Sequence, residues 1–174
     1  IPNSTVLYPS DAVAAERLTA LAASLKGTTY LRTSRPATPV LYANTEDFPV
    51  GGSKTVRSSN NDRLTIVAAG VTLHEALSAY ETLKAADIAV RVIDAYSVKP
   101  IDAEGLRNAA AQTNNTILVV EDHYYDGGLG DAVLNAVAVH GVRVHKMAVT
   151  SVPRSGKPDE LLEAHGISAR CIVE

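Results

Sequence analysis

The sequence predicts an α/β fold in which a doubly wound, mostly parallel (mixed) sheet forms a C-terminal domain. A helix and a strand that belong to an upstream α/β domain precede it. From Leu64 onward, short strands alternate with helical segments of about 10–15 residues, which is typical of right-handed βαβ units. The chain has 174 residues, of which 46% are apolar, enough for one complete domain and part of another.

Residues 1–49 are expected to contain one helix and one strand. The polar pair Ser10-Asp11 can accept hydrogen bonds from the free N–H groups of a first helical turn, so a helix is expected to begin at Ala12. An apolar stripe follows at helical spacing, and residues 28–33 form a short β-rich run. Because a single helix and strand cannot bury both of their faces, we expect them to pack against upstream material and to present an exposed apolar side.

Residues 50–174 are expected to form the second domain. Lys54-Thr55-Val56 is predicted to begin a first hairpin, and Thr72 and Glu75 have the spacing of a capping box. His74, on the same first helical turn, is expected to be exposed and without a chemical role. Four further strands are predicted at 64–69, 90–93, 116–120 and 142–149. The predicted helices of this domain lie at 72–86, 103–112, 131–139 and 158–164.

Composition argues against several classes of function. With a net charge of −3, the chain has no overall positive charge to attract nucleic acid or an anionic membrane, so neither is an expected partner. Cys171 is the only cysteine, which excludes an intrachain disulfide and fits a reducing, cytoplasmic location. The chain starts at Ile1 without the basic and apolar regions of a signal peptide, and we interpret this start as a cut inside a longer polypeptide.

Several common catalytic and binding motifs are incomplete. Gly128-Leu129-Gly130 lacks the third glycine of a dinucleotide fingerprint, and Ser155-Gly156-Lys157-Pro158 lacks the metal-binding hydroxyl of a phosphate loop. The five histidines have no metal-ligand spacing with one another or with the cysteine. No serine lies in a G-x-S-x-G turn. The sequence therefore predicts no catalytic triad, metal site or cofactor site of its own.

Three polar positions remain as candidate sites. Arg35 follows a short strand, where its guanidinium can bind a phosphate or carboxylate, or form a surface ion pair. His123 follows Asp122 at the tip of a strand and can act as an acid or base, or hydrogen-bond across a domain or subunit interface. Arg154, in a loop near the C-terminus, can bind an anion or be solvated. The residues alone leave these alternatives open.

Six segments along the chain form a set of motifs. They are Tyr8-Pro9-Ser10-Asp11, Arg32-Thr33-Ser34-Arg35-Pro36, Gly70-Val71-Thr72-Leu73-His74-Glu75-Ala76, Lys99-Pro100-Ile101-Asp102, Val120-Glu121-Asp122-His123-Tyr124-Tyr125 and Val152-Pro153-Arg154-Ser155-Gly156-Lys157-Pro158. In this order and spacing they resemble the transketolases, and the animal branch in particular. The resemblance implies that residues 1–49 are the tail of the pyrimidine-binding domain with its linker. It implies that residues 50–174 are the C-terminal domain with a five-stranded mixed sheet, and that Arg35 contacts the sugar phosphate.

The resemblance also implies the chemistry of a parent enzyme. A transketolase of the pentose phosphate pathway transfers a two-carbon ketol unit between sugar phosphates as a homodimer, using thiamine diphosphate and Mg²⁺ (or Ca²⁺). The family's Gly-Asp-Gly motif for the diphosphate and metal has no match here. The glutamate that activates the cofactor lies upstream in the family. The resemblance thus implies a chain that binds no cofactor alone and is active only with the remainder of transketolase.

Two alternatives stay open at this point. The first is the equivalent part of a related thiamine enzyme, either a 2-oxo acid dehydrogenase β subunit or a deoxyxylulose phosphate synthase. The second is a non-catalytic ligand-sensing or interaction module, because a fold does not fix a function. The phrase Thr33-Ser34-Arg35-Pro36 favours a transketolase, because a phosphosugar needs an anion-binding group at that point.

Overall fold

The computed structural model describes residues 1–174 and contains a three-stranded and a five-stranded sheet. The strands are β1 (Thr5–Leu7), β2 (Thr29–Leu31), β3 (Lys54–Arg57), β4 (Thr65–Ala68), β5 (Arg91–Asp94), β6 (Ser97–Lys99), β7 (Thr116–Tyr124) and β8 (Arg143–Val149). The helices are α1 (Ala12–Ser24), α2 (Val71–Ala85), α3 (Ala103–Ala111), α4 (Leu129–Val137), α5 (Pro158–Ala164) and α6 (Ala169–Val173). None of these helices has both the length and the apolar character needed to cross a membrane.

The larger sheet confirms the predicted α/β class with a doubly wound, mixed sheet. Its strand order is β3-β5-β4-β7-β8, in which only β3 runs antiparallel to its neighbour. Helices α3 and α4 cover one face, where Leu106 and Val133 belong to an apolar cluster of 13 buried residues. Helices α2 and α6 cover the other face, where Leu73 and Ile172 belong to a cluster of 12 buried residues.

The smaller sheet joins the two parts of the chain. Strand β1 lies between β2, to which it is parallel, and β6 of the second part, to which it is antiparallel. The sequence does not predict β1 or β6, whereas the equally short β2 lies in the β-rich run at 28–33 that it does predict. The apolar side of α1 that we expect to meet upstream material is partly covered within this chain. Leu18 of α1 is fully buried in a cluster with Phe48 and Tyr96 of this same chain.

Several element boundaries differ from the prediction. The predicted hairpin is wrong, because β3 pairs with β5, aligning Thr55 with Ile93, rather than with the strand that follows it. Strand β7 extends past residue 120 to Tyr124, which pairs with Val149 of β8 after an irregularity in register. Helix α4 spans 129–137 rather than 131–139, and the short helix α6 is not predicted.

The predicted capping box at the start of α2 is also wrong. The helix begins at Val71 after Gly70, whose φ of 57° and ψ of −129° are accessible to glycine but not to other residues without strain. Thr72 therefore lies inside the helix, where its hydroxyl donates to the carbonyl oxygens of Ala69 and Val120. The carboxylate of Glu75 accepts from the backbone of Ala169 in α6 instead. Both side chains stabilise tertiary packing rather than the helix end.

Candidate functional site

A cleft of about 480 Å³ opens between the loop after β2 and the helices α2 and α5. Its lining includes Arg35 and Pro39 of the loop, and His74, Leu162 and His165 of the second part of the chain. Sites for small organic molecules have volumes of roughly 300–1,000 Å³ and mostly apolar walls with a few polar groups. The cleft therefore has the size and the composition of a metabolite site.

The base of the loop is fixed by a clamp of three side chains, Tyr8, Arg32 and Asp122. The Arg32 guanidinium donates to the Asp122 carboxylate at 2.8 Å and to its backbone oxygen at 3.1 Å. The Tyr8 hydroxyl donates to the same carboxylate at 3.0 Å, and the guanidinium carbon of Arg32 lies 4.6 Å from the centre of the Tyr8 ring. Burial and the nearby Asp122 carboxylate hold the pKa of Tyr8 above its usual range, so its hydroxyl remains a donor.

Arg35 lies on the exposed loop three residues beyond the clamped Arg32 and lines the cleft. Arg35 takes part in none of the ion pairs of the structure, so it does not form the surface ion pair that is the alternative to anion binding. An uncommitted guanidinium has several donors in one plane and suits a phosphate or carboxylate. Its contact with a sugar phosphate stays a prediction.

The other candidate residues lie in three different places. Asp122 lines the cleft and also a smaller cavity of about 250 Å³, where exposed His123 is another lining residue. The Nδ1 atom of His123 lies 3.0 Å from the carbonyl oxygen of Tyr124, so this nitrogen carries the hydrogen. Arg154 is exposed in the loop before α5 and does not line the cleft, although its neighbour Pro153 does.

The expectation that His74 is exposed is wrong. It is half-buried, and its Nε2 atom lies 2.6 Å from the carbonyl oxygen of Ser10. The carbonyl can only accept, so Nε2 is protonated and Nδ1 is the ring nitrogen left for a ligand. Nothing in the local sequence reveals this contact, because Ser10 lies 64 positions away.

The glycine-rich turn before α4 serves a structural purpose. The buried carboxylate of Glu121 accepts from the backbone N–H groups of Leu129 at 2.6 Å and Gly130 at 2.9 Å. A β-carbon at Gly128 would lie 2.0 Å from that carboxylate, which explains why glycine is needed there. Burial raises the pKa of Glu121. Because its side chain already occupies the first turn of α4, this turn does not hold the phosphate of a cofactor.

A second buried carboxyl joins the two parts of the chain. Asp94, at the end of β5, is fully buried and accepts from the hydroxyls of Ser10 at 2.9 Å and Tyr42 at 2.7 Å. Ser10 also accepts from the backbone N–H of Gly70 at 2.9 Å. Burial raises the pKa of Asp94 to about 7.

We predict that the stability of the protein falls as pH rises from about 4 to about 7, because of Asp94. A carboxyl whose pKa is higher in the folded state keeps its proton there while the unfolded chain has lost it. The free energy of unfolding then falls as pH rises through this window, by at most about 1.4 kcal/mol per pH unit. Chemical denaturation of wild type and Asp94→Asn across the window measures the effect. Asp126→Asn, at an exposed carboxylate, is the control.

The Asp94→Asn variant has no titrating group at this position, so its stability is expected to rise relative to wild type as pH increases. Asp126→Asn is expected to follow the wild-type curve. Parallel curves for Asp94→Asn and wild type across the window would contradict the prediction.

Two functional features were not singled out from the sequence. Tyr8 and Arg32 lie in segments that resemble the family, but only the fold brings them to Asp122, which is 114 positions from Tyr8 and 90 positions from Arg32.

The structure contains no group of three or more histidine, cysteine or acidic side chains arranged to hold a metal ion.

Comparison with known proteins identifies clear relatives. Residues 53–172 match the family described as "Transketolase, C-terminal domain". Mouse transketolase is 51% identical over 175 residues, an alignment that covers 100% of this chain and 28% of the mouse protein. Human transketolase is 50% identical with the same coverage, and human transketolase-like protein 2 is 48% identical over 99% of this chain and 28% of its own length. The chain spans less than a third of the length of these relatives.

Two solved structures of transketolases are also similar to this chain. A protein described as "Split gene transketolase, inactive beta4 tetramer" is similar with a TM-score of 0.91 and 34% identity, over 99% of this chain and 56% of that one. The transketolase of Campylobacter jejuni has a TM-score of 0.66 and 16% identity, over 99% of this chain and 26% of its own. At that identity the second likeness concerns the fold alone.

Proposed function

The chain belongs to the transketolase family, and on this premise we propose that it is the C-terminal part of an enzyme that transfers a two-carbon ketol unit from a ketose phosphate to an aldose phosphate. The observation that carries the proposal is the identity of about 50% to animal transketolases along the whole chain. In the parent enzyme, which we propose to be a cytoplasmic homodimer of the pentose phosphate pathway, thiamine diphosphate with a divalent metal supplies the carbanion chemistry.

Sugar phosphates are the substrates we propose, rather than 2-oxo acids. The relatives described above are transketolases and transketolase-like proteins, so the β subunit of a 2-oxo acid dehydrogenase and deoxyxylulose phosphate synthase are not favoured. The test uses this chain combined with a polypeptide that supplies the other two transketolase domains, hereafter the assembled enzyme. We expect ketol transfer between sugar phosphates. Turnover of 2-oxo acids instead would contradict the proposal.

Arg35 is the residue that we propose to bind the substrate phosphate. Its position on a cleft of about 480 Å³ and its freedom from ion pairs support this role. The clamp formed with Asp122 holds Arg32, three residues earlier, and so limits the positions that Arg35 can take. Ordering the backbone near Arg35 in advance reduces the conformational entropy that is lost when its side chain binds an anion.

The residues of this chain do not fit the cofactor. The first turn of α4, which follows the glycine-rich segment, is occupied by the carboxylate of Glu121, and no metal-binding group of side chains is present. We therefore assign no step of the reaction to a cofactor held by this chain alone. The description of the split-gene relative as an inactive tetramer is consistent with a dependence on other domains.

We predict that the chain alone binds thiamine diphosphate and Mg²⁺ no tighter than millimolar, because it lacks groups to hold the diphosphate and the metal. Isothermal titration calorimetry of the chain with both ligands measures this directly. Titration of the assembled enzyme under the same conditions is the positive control. Micromolar binding to the chain alone would contradict the prediction and would place a cofactor site within these 174 residues.

A further inference from the structure

We infer that residues 41–49, hereafter the latch segment, form a pH-sensitive latch that closes over the buried carboxyl of Asp94 and opens more often as pH rises. The inference goes beyond the proposed function and does not depend on it, because it concerns the 174-residue chain by itself. The loop that carries Arg35 begins at Arg32, which Asp122 holds, and runs into the latch segment. Opening of the latch therefore releases one of the two ends of that loop.

Two buried carboxyl groups hold the first residues of the latch segment. Asp11, the N-cap of α1, is 4% exposed, and one of its oxygens accepts from the backbone N–H groups of Leu41 at 2.7 Å and Tyr42 at 3.0 Å. The other oxygen accepts from the backbone of Ala14 in the first turn of α1. The hydroxyl of Tyr42 donates to Asp94 at 2.7 Å. Tyr42 is therefore bound by one carboxyl beside α1 and by another at the end of β5.

The rest of the latch segment is lightly packed. It contains no helix or strand, and only Phe48 is buried, with its ring edge to face against the rings of Tyr42 and Tyr96. Three donors bind it further along the chain, namely Arg17 to the carbonyl of Asn44, Lys54 to the carboxylate of Glu46, and Tyr96 to the carbonyl of Pro49. Segments with few buried apolar contacts open at a lower free energy than the strands of a core. The latch segment can therefore leave Asp94 without unfolding of the two sheets.

Asp94 supplies the pH dependence of the latch. In the closed state burial raises the pKa of Asp94 to about 7. When the latch segment leaves, water reaches the carboxyl, and its pKa falls toward the ordinary value of about 4. Between these two pKa values the closed state keeps a proton that the open state releases. The latch is therefore most stable below about pH 4, and its stability is lost as pH rises to about 7.

Other charged or titratable groups lie around Asp94. They are Asp11, Tyr42, Tyr96, Lys54 with its ion-pair partner Glu46, and His74, which bonds to the carbonyl of Ser10. Burial outweighs the hydroxyl hydrogen bonds and the charge of Lys54, which lower the pKa of Asp94. Histidine side chains ordinarily titrate within the same pH range, so His74 is the rival source of pH dependence. Asp94→Asn leaves all of these groups in place and removes only the titration of Asp94.

The test is hydrogen–deuterium exchange at the backbone N–H groups of Leu41 and Tyr42, which are bonded to Asp11 in the closed state. Exchange rates are measured from about pH 4 to about pH 7 and divided by those of the free peptide 41–49 at the same pH. We expect the opening constant of wild type to rise by up to about tenfold for each pH unit. For Asp94→Asn, which has no proton to release at this position, we expect a constant value.

Tyr42→Phe tests the contact that closes the latch. This variant loses the hydroxyl that bonds to Asp94 and keeps the ring that contacts Phe48. We expect its opening constant at low pH to be about two- to tenfold higher than that of wild type, the effect of one lost hydrogen bond. The N–H of Ser59 is the matched control within wild type, because it is bonded to a different buried carboxylate, Asp62. Its opening constant is expected not to rise with pH.

Three results would overturn the inference. Equal opening constants for Tyr42 and for Val119 of the central strand β7 would show that the segment opens only when the whole chain unfolds. An equal rise with pH in Asp94→Asn and wild type would assign the pH dependence to another group. A wild-type opening constant that changes by less than about threefold across the window would also contradict it, and this criterion holds even if Asp94→Asn fails to fold. None of these results bears on the proposed function, which is tested by ketol transfer.

Discussion

Replacing Arg35 by alanine is expected to raise the KM of the assembled enzyme for sugar phosphates by about 10- to 100-fold. A hydrogen bond to a charged group contributes roughly 1.5–3 kcal/mol, which corresponds to a change of this size. Because the phosphate lies away from the reacting carbon, its binding stabilises the ground state and the transition state equally, so kcat is expected to change little. Steady-state kinetics with phosphorylated and unphosphorylated sugars measures both parameters.

Two further variants make the Arg35 experiment specific. Arg35→Lys keeps the charge but loses the planar pair of donors, so its KM is expected to lie between those of wild type and Arg35→Ala. Arg154→Ala removes an arginine that is also exposed but does not line the cleft, and it is expected to behave as wild type. Equal losses for phosphorylated and unphosphorylated sugars would show that Arg35 does not bind the phosphate.

Replacing Gly70 by alanine is expected to destabilise the protein by about 3 kcal/mol or more. A β-carbon at this position would lie 1.9 Å from the Tyr8 ring, and its φ of 57° with ψ of −129° is itself strained for alanine. The Tyr8 ring cannot simply move aside, since Arg32 and Asp122 hold it. Backbone strain and overpacking each cost roughly 1–3 kcal/mol.

Gly141→Ala separates these two contributions. Gly141 also has a positive φ, of 68°, but a β-carbon there would meet no atom within 4 Å. This variant is expected to lose only about 1–2 kcal/mol from backbone strain. Chemical denaturation of both variants gives the free energies of unfolding. Equal losses in the two variants would show that the contact between Gly70 and Tyr8 does not matter for stability.

The larger sheet could be predicted from the sequence because its elements are long enough to show a pattern. Strands such as β4 and β7 are rich in β-branched residues, and α2 spans 15 residues with a repeating apolar side. The sequence does not predict the three-residue strands β1 and β6 or the five-residue helix α6, and among elements this short only β2 lies in a β-rich run. The pairing of β3 with β5 depends on tertiary packing, which the local sequence does not encode.

The candidate site could be predicted only in part. Arg35 stands out because a family motif surrounds it. The partners that fix its loop do not, because Tyr8 and Asp122 meet across 114 positions of sequence. Gly128 and Gly130 match part of a dinucleotide fingerprint, but Glu121 binds the first turn of α4 itself. Long-range hydrogen bonds of this kind leave no periodic signal, and Asp94 is a second example, since its donor Ser10 lies 84 positions away.

The most direct test of the account is a coupled ketol-transfer assay with thiamine diphosphate, Mg²⁺ and sugar phosphates. It compares the chain alone with the assembled enzyme, with the added polypeptide alone as the background control. We predict activity only when both polypeptides are present, because this chain offers the cleft where we propose that the substrate phosphate binds but no groups that fit the cofactor. Activity of the chain by itself, or no activity of the assembled enzyme, would contradict the account.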